Sequence, residues 1–128
     1  MLRDKAYEYM VGQGCNCAET LLHVADDALH LELTDETYKA LGVFGRGLAC
    51  GNLCGALAAA CGVLGTLYST GEFHKSPEAE LKVKTFMLRA QEELGDTQCA
   101  VLRPRYFEPG VRCLHLVERA ADLLEELL

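Results

Sequence analysis

Hydrophobic positions along the chain recur at the spacing of α-helices, and no segment shows the sustained alternation that is typical of β-strands. Valine is scarce and isoleucine is absent, which also disfavours strands. The pattern predicts an all-α fold: a single domain over residues 1–128, built as a bundle of about five helices around a Gly/Ala-rich central helix. We find no internal repeat, low-complexity segment or linker.

Capping residues indicate where the helices begin and end. Asn16 and Glu19 have the spacing of a capping box, Ser76-Pro77 is a typical helix start, and Gly95 is a typical stop. We expect the central helix to wind regularly from Asn52 and Pro104 to end a short helical turn. The predicted helices cover residues 2–11, 16–29, 34–41, 52–70, 76–95, 97–104 and 109–128.

The chain carries no charged residue from Gly47 to Gly71, so a membrane span has to be considered. Glycines, alanines and Asn52 make this segment only mildly hydrophobic, and no second apolar segment accompanies it. We therefore expect a buried helix and no membrane span. Its small residues also allow close helix packing between two copies, and we expect a homodimer.

The charge balance and the cysteine content narrow the function. Nineteen acidic residues against twelve basic ones give a net charge of −7, which argues against binding to nucleic acid. Seven cysteines are many for a chain of 128 residues. The N-terminus begins with Met1 and has no apolar signal segment, so we expect a cytoplasmic protein with reduced thiols. Such thiols are typical of metal-binding or redox-active proteins.

Four of the cysteines fall at or near predicted helix starts: Cys17, Cys54, Cys99 and Cys113. Free backbone N–H groups and the helix dipole favour an anion at that position, so we expect lowered pKa values and more thiolate. Thiolate is the form that binds metals and attacks disulfides. The alternative is that a cysteine packs as a small apolar side chain without chemistry.

The remaining cysteines are weaker candidates. Cys61 lies among alanines and glycines and suits a packing role, and Cys15 forms a C-x-C pair with Cys17 that is too tight for an easy disulfide. Cys50 shares a helical face with Cys54 and Cys61 if the helix is unbroken, and is a possible support for the site. Neither a C-x-x-C motif nor zinc-finger spacing is present.

Other polar residues give weaker signals. Gly45-Arg46-Gly47 is better explained as a tight turn packed against the core than as an anion cradle, because no strand precedes it. None of the four histidines is expected to be a ligand. His23, His30 and His74 are expected to be solvated or in loops, and His115 follows Cys113 by two residues, which points it away from that thiol on a helix.

In its order and spacing of motifs, the chain resembles the C_GCAxxG_C_C family, a family of small proteins described as redox-active. The resemblance extends from about Ala6 to Leu124. It rests on Asn16-Cys17-Ala18-Glu19, on Gly45-Arg46-Gly47 leading to Cys54-Gly55-Ala56-Leu57, on Cys99 after Gly95-Asp96-Thr97, and on Cys113 before Val117-Glu118-Arg119-Ala120-Ala121. The last glycine of the family motif is Ala59 here.

The resemblance implies that Cys17, Cys54, Cys99 and Cys113 are the four signature cysteines, the same set that the helix starts indicate. Our leading hypothesis is that these thiols converge on an iron–sulfur cluster or another thiolate-bound metal used in electron transfer with a redox partner protein. The alternatives are a thiol–disulfide oxidoreductase with a reversible cysteine pair and a structural zinc site in an interaction protein. If the chain is an enzyme, it is an oxidoreductase.

Overall fold

A computed structural model describes residues 1–128, and it confirms the all-α class. A helical N-terminal segment contains a 3₁₀ turn, Leu2–Lys5, and a π turn, Glu8–Gly12. Six α-helices follow: α1 Cys17–Leu29, α2 Asp35–Gly42, α3 Gly55–Tyr68, α4 Pro77–Leu94, α5 Cys99–Tyr106 and α6 Leu114–Glu125. None of them combines the length and the apolar character needed to cross a membrane.

Helix α3 lies at the centre of the bundle, as the sequence predicts. Residues 56–60 and its later residues Val63 and Leu64 are all buried, and the helix packs against α1, α4 and α6. Alanine and glycine side chains let these neighbours approach closely. The small residues of α3 therefore already pack against its own chain, so they do not support the close packing between two copies that we expected.

The predicted caps are present at the helix ends that hydrogen bonds between residues close in sequence determine. The Glu19 N–H donates to Asn16 Oδ1 at 2.8 Å and the Asn16 N–H donates to Glu19 Oε1 at 2.9 Å, which completes the capping box of α1. Pro77 occupies the first turn of α4, and Gly95 ends that helix in the left-handed region at φ +81°. These local signals set the entry of α1 and both ends of α4.

The central helix begins later than predicted, at Gly55 rather than Asn52. Residues 52–54 are instead held extended against residues 97–99: the Cys54 N–H donates to the Thr97 carbonyl at 2.9 Å and the Cys99 N–H to the Asn52 carbonyl at 2.6 Å. This pairing is between residues far apart in sequence, so the local pattern does not reveal it. It joins the start of α3 to the start of α5.

Two other predicted boundaries are wrong. Helix α5 continues through Pro104 to Tyr106, because the Phe107 N–H donates to the Arg103 carbonyl at 2.8 Å beyond the proline. Only the N–H that proline lacks is missing from the helix. Helix α6 starts at Leu114 and not at Pro109, because Pro109 and Gly110 form a turn that is closed by paired backbone bonds between residues 108 and 112.

Candidate functional site

The four signature cysteines all lie at helix starts. Cys17 is the first residue of α1 and Cys99 the first of α5, while Cys54 and Cys113 are the N-cap residues of α3 and α6. None of them forms a disulfide in this structure. Four separate helices therefore each contribute one free thiol.

The extended pairing of residues 52–54 with 97–99 brings the backbones of Cys54 and Cys99 together. Gly47 packs into the same junction, because a Cβ at this position would lie 2.6 Å from the Asn52 backbone and 2.7 Å from the Cys99 Cβ. Gly47 also has a φ of +61°, which favours glycine. A residue with a side chain at position 47 would separate α3 from α5.

Cys17 reaches this junction from α1. A Cβ added to Gly55, the first residue of α3, would lie 2.8 Å from the Cys17 sulfur. Glycine at position 55 therefore leaves the space that the sulfur occupies. The position of Cys17 in turn depends on the capping box of α1, whose Asn16 side chain donates to the Gly42 carbonyl at 3.0 Å.

Electrostatic coupling shows that the four thiols are neighbours. The pKa of Cys54 is raised to about 12, mainly by burial; the charges of Cys17 and Cys99 add to the rise, and the backbone amides of Leu57 and Ala56 oppose it. Burial also raises the pKa of Cys99, with an added contribution from Cys17. The pKa of Cys113 is raised by burial and then by Cys17 and Cys99. Cys17 thus acts on each of the other three.

The lowered pKa values that we expected from the helix starts are wrong for Cys54, Cys99 and Cys113. The free-energy cost of removing a thiolate from water exceeds the stabilisation that the first turn of a helix gives to an anion. The effect is largest at Cys54, which is only 2% exposed. These three thiols are therefore held protonated at neutral pH in the reduced protein.

Three of the thiols, Cys17, Cys99 and Cys113, line one small cavity of about 80 Å³, here called the thiol pocket. Cys54 is buried and does not line it. Residues from the N-terminal segment, the 44–47 turn and the helix starts complete the wall: Met10, Asn16, Arg46, Arg103, Phe107 and Arg112. The pocket therefore combines thiols with three guanidinium groups and no carboxylate.

Arg103 and Arg112 of the thiol pocket were not identified from the sequence, and Arg46 was considered there only as part of a possible anion cradle. Arg103 lies 4.6 Å above the Phe107 ring, and its charge opposes the burial shift at both Cys99 and Cys113. Arg112 donates to the carbonyls of Met10 and Cys15, the latter at 3.0 Å, and ties the N-terminal segment to the start of α6. Their spacing was an available signal: Arg103 lies one helical turn after Cys99, and Arg112 directly precedes Cys113.

A wider cleft of about 550 Å³ adjoins the thiol pocket and shares Arg46, Cys99, Arg103 and Phe107 with it. We call this the outer cleft. Its wall also contains Cys50, which is exposed and whose thiol points to the Gly47 carbonyl at a sulfur–oxygen distance of 3.6 Å. Cys99 is the one cysteine that lines both spaces.

The predicted alignment of Cys50 with Cys54 and Cys61 on one helical face is wrong. Leu48 and Ala49 adopt left-handed φ angles of +60° and +63°, and Cys50 has non-helical angles of φ −139° and ψ 18°, so no regular helix joins position 50 to α3. At the segment predicted as a tight turn, Arg46 and Gly47 have positive φ angles of +57° and +61°. Gly45 packs so closely on Asn16 that an added Cβ would lie 2.3 Å from its side-chain nitrogen.

The other candidates lie outside both spaces. Cys15 and Cys61 line neither of them, and burial raises the pKa of Cys61 to about 11. His115 is exposed between Glu108 at 2.8 Å and Glu118 at 3.0 Å. His23 is half-buried and stacks between Tyr9 and Tyr38, so its assignment as a solvated histidine is corrected.

The donor set was also tested against the metal centre expected from the sequence. No group of three or more His, Cys, Asp or Glu side chains is arranged to hold a metal ion. As arranged in this structure, the thiols do not fit a metal ion or an iron–sulfur cluster.

Comparisons with known proteins give one result. A family model described as "Putative redox-active protein (C_GCAxxG_C_C)" matches residues 15–127. The match includes all four thiols at the helix starts and the glycines that pack against them. No curated protein and no solved structure matched the chain.

Proposed function

Since the chain belongs to the C_GCAxxG_C_C family of redox-active proteins, we propose that it is a thiol–disulfide redox protein in which Cys99 and Cys17 form a reversible disulfide. One observation carries the assignment. Both thiols line the same pocket, and the charge of one acts on the other. Each is the first residue of its helix, so a bond between them would join α1 to α5 without entering either helix.

Cys99 is the thiol that meets an external disulfide. It lines both the thiol pocket and the outer cleft, whereas Cys17 and Cys113 line only the pocket. Cys54 is unsuited to this step because it is buried and its pKa of about 12 leaves almost no thiolate at neutral pH. The Arg103 guanidinium favours the Cys99 thiolate against the effect of burial.

The reaction is a two-step exchange with a disulfide as the oxidant. Cys99 loses its proton and attacks one sulfur of that disulfide, a new S–S bond forms, and the other sulfur leaves as a thiolate that takes up a proton. Cys17 loses its proton and attacks the Cys99 sulfur, which expels the second thiolate. Two protein thiols and one disulfide thereby become one protein disulfide and two small thiols.

Cys113 and Cys54 support this pair in different ways. Cys113 lines the pocket beside Cys17 and Cys99 and is the alternative partner if Cys17 is removed. Cys54 packs beneath them at the start of α3. The iron–sulfur and zinc hypotheses use the same four residues, but no structural observation favours them over the dithiol.

Anaerobic oxidation of the fully reduced protein by bis(2-hydroxyethyl) disulfide, followed by mass spectrometry, tests the proposal. We expect the loss of two hydrogens in the wild type, a mixed disulfide trapped on Cys99 when Cys17 and Cys113 are both replaced by serine, and a strongly slowed reaction in Cys99→Ser. Cys61→Ser is the matched control, because that thiol lies outside the pocket, and it should behave as the wild type. An intact dithiol in the wild type, or normal oxidation of Cys99→Ser, overturns the proposal.

The same protein supplies the test of the alternatives. Anaerobic addition of iron and sulfide, with absorption spectroscopy and metal analysis, should leave the protein without the charge-transfer bands of a cluster. Stable bands that are lost in Cys17→Ser or Cys99→Ser would contradict the dithiol assignment and restore the metal centre. Bound zinc whose removal unfolds the protein would instead support a structural site.

A further inference from the structure

The outer cleft contains two arginines without a protein acceptor. Arg46 and Arg103 both line it, and neither makes a salt bridge or a side-chain hydrogen bond to another residue. Each of the other arginines has a carboxylate or a carbonyl partner: Arg3, Arg89, Arg105, Arg112 and Arg119. Both arginines are exposed to solvent. Two guanidinium groups that no carboxylate neutralises, on the wall of one cleft in a chain of net charge −7, provide a local positive site that an external anion can use.

The lining of the cleft is complementary to such a ligand. No Asp or Glu lines it, so nothing repels an anion, and Phe107 and Pro104 provide an apolar wall beside the guanidinium groups. The Phe107 ring lies under Arg103, which limits the motion of that side chain. With a volume of about 550 Å³, the cleft has the size of a small-molecule site.

The backbone that presents Arg46 is strained. Arg46, Leu48 and Ala49 all lie in the left-handed region, at φ +57°, +60° and +63°. A residue with a side chain is strained in this region, because its Cβ comes too close to the backbone. The packing of Gly47 against the Asn52 backbone maintains this conformation, which directs the 46–50 segment along the cleft. Strain of this kind is concentrated at binding and active sites.

We propose that the outer cleft binds a small disulfide that carries carboxylates, of the glutathione type, with its carboxylates on Arg46 and Arg103 and its sulfur atoms beside Cys99. This assignment rests on the proposed function, because it names the oxidant of the exchange described above. The bonds formed and broken are those of that exchange, and the arginines supply the preference for an anionic partner.

The preference is measured with three disulfides of different charge: anionic glutathione disulfide, neutral bis(2-hydroxyethyl) disulfide and cationic cystamine. We expect the wild-type rate constant to be highest for glutathione disulfide at low salt and the advantage to shrink as salt is added. Arg46→Gln and Arg103→Gln should each lower the ratio of the glutathione disulfide rate to the neutral rate by about threefold to tenfold. Arg119→Gln removes the same charge outside the cleft and should keep the wild-type ratio.

A binding measurement separates this inference from the proposed function. S-methylglutathione carries the same carboxylates but cannot exchange, so calorimetry or chemical-shift changes report binding alone. We expect binding that weakens in Arg46→Gln. If no disulfide oxidises the protein while this binding holds, the proposed function fails and the cleft assignment stands. If the protein is oxidised equally by all three disulfides and S-methylglutathione does not bind, the cleft assignment is overturned and the proposed function stands.

Discussion

Replacing Gly55 by alanine perturbs the contact between Cys17 and the start of α3. The added carbon would lie 2.5 Å from the Phe44 carbonyl oxygen and 2.8 Å from the Cys17 sulfur. Both separations are shorter than carbon makes with either atom. The carbonyl belongs to the backbone and cannot rotate away, so either the 42–47 turn or the start of α3 must move.

The expected cost follows from two opposing effects. Overpacking a rigid contact costs about 1–3 kcal/mol, while alanine gains up to about 1 kcal/mol over glycine in a helix. Position 55 is the first residue of α3, where that gain is smallest. We expect Gly55→Ala to lower the free energy of unfolding by about 1–2 kcal/mol.

Gly65→Ala is the matched control in the same helix. Apart from the nearby backbone of α3 and the adjacent residues, no atom lies within 4 Å of a Cβ at position 65. Only the helix gain therefore remains, and we expect stabilisation of about 0.5–1 kcal/mol. The assay is denaturant unfolding of both reduced variants, with the rate of disulfide formation as a second readout. Gly55→Ala should also slow that rate, because it displaces Cys17. Equal stability of the two variants would refute the packing argument.

Four further predictions follow from the same structure. Thr20→Val should raise the free energy of unfolding by about 1 kcal/mol in thermal denaturation, because the buried Thr20 hydroxyl has no partner; a loss of stability would contradict this. The free energy of unfolding of the reduced protein should fall as the pH rises above about 9, because Cys54 ionises near its ordinary pKa in the unfolded chain but only near 12 in the folded one. Unfolding curves measured at several pH values should show a shallower fall for Cys54→Ala. Timed alkylation with peptide mapping should modify Cys50 first and Cys54 last, and the reverse order would disprove the burial assignment. The homodimer stays a prediction, and it requires twice the chain mass in sedimentation. Leu81 and Leu88 on α4, which are 65% and 61% exposed, are the apolar surface available to a partner.

The sequence predicts best those features that short-range chemistry determines. Asn16 and Glu19 are three residues apart and cap the same turn, so the start of α1 follows from their identities. Pro77 and Gly95 determine the ends of α4 in the same way. Pro104 is misleading because the propensity of one residue is weaker than the bonds that its neighbours make on either side.

Only part of the candidate site can be predicted from the sequence, because the rest depends on contacts between residues that are far apart along the chain. The four thiols could be placed at helix starts, but their pKa shifts depend on burial, and burial depends on the packing of α1 against α3. Arg46 and Arg103 are separated by more than fifty residues, and only the pairing of residues 52–54 with 97–99 brings them to one cleft. A metal site also requires several donors at fixed distances, which spacing along the chain does not determine.

The central claim is a reversible disulfide between Cys17 and Cys99, and peptide mapping tests it most directly. The reduced protein is oxidised anaerobically with glutathione disulfide, blocked with an alkylating reagent and digested. The account predicts a cross-linked peptide pair containing Cys17 and Cys99, with Cys61 alkylated and the bond reversed by dithiothreitol. If Cys17 and Cys99 are both recovered as alkylated thiols after the treatment with glutathione disulfide is complete, the claim of a disulfide between them is contradicted.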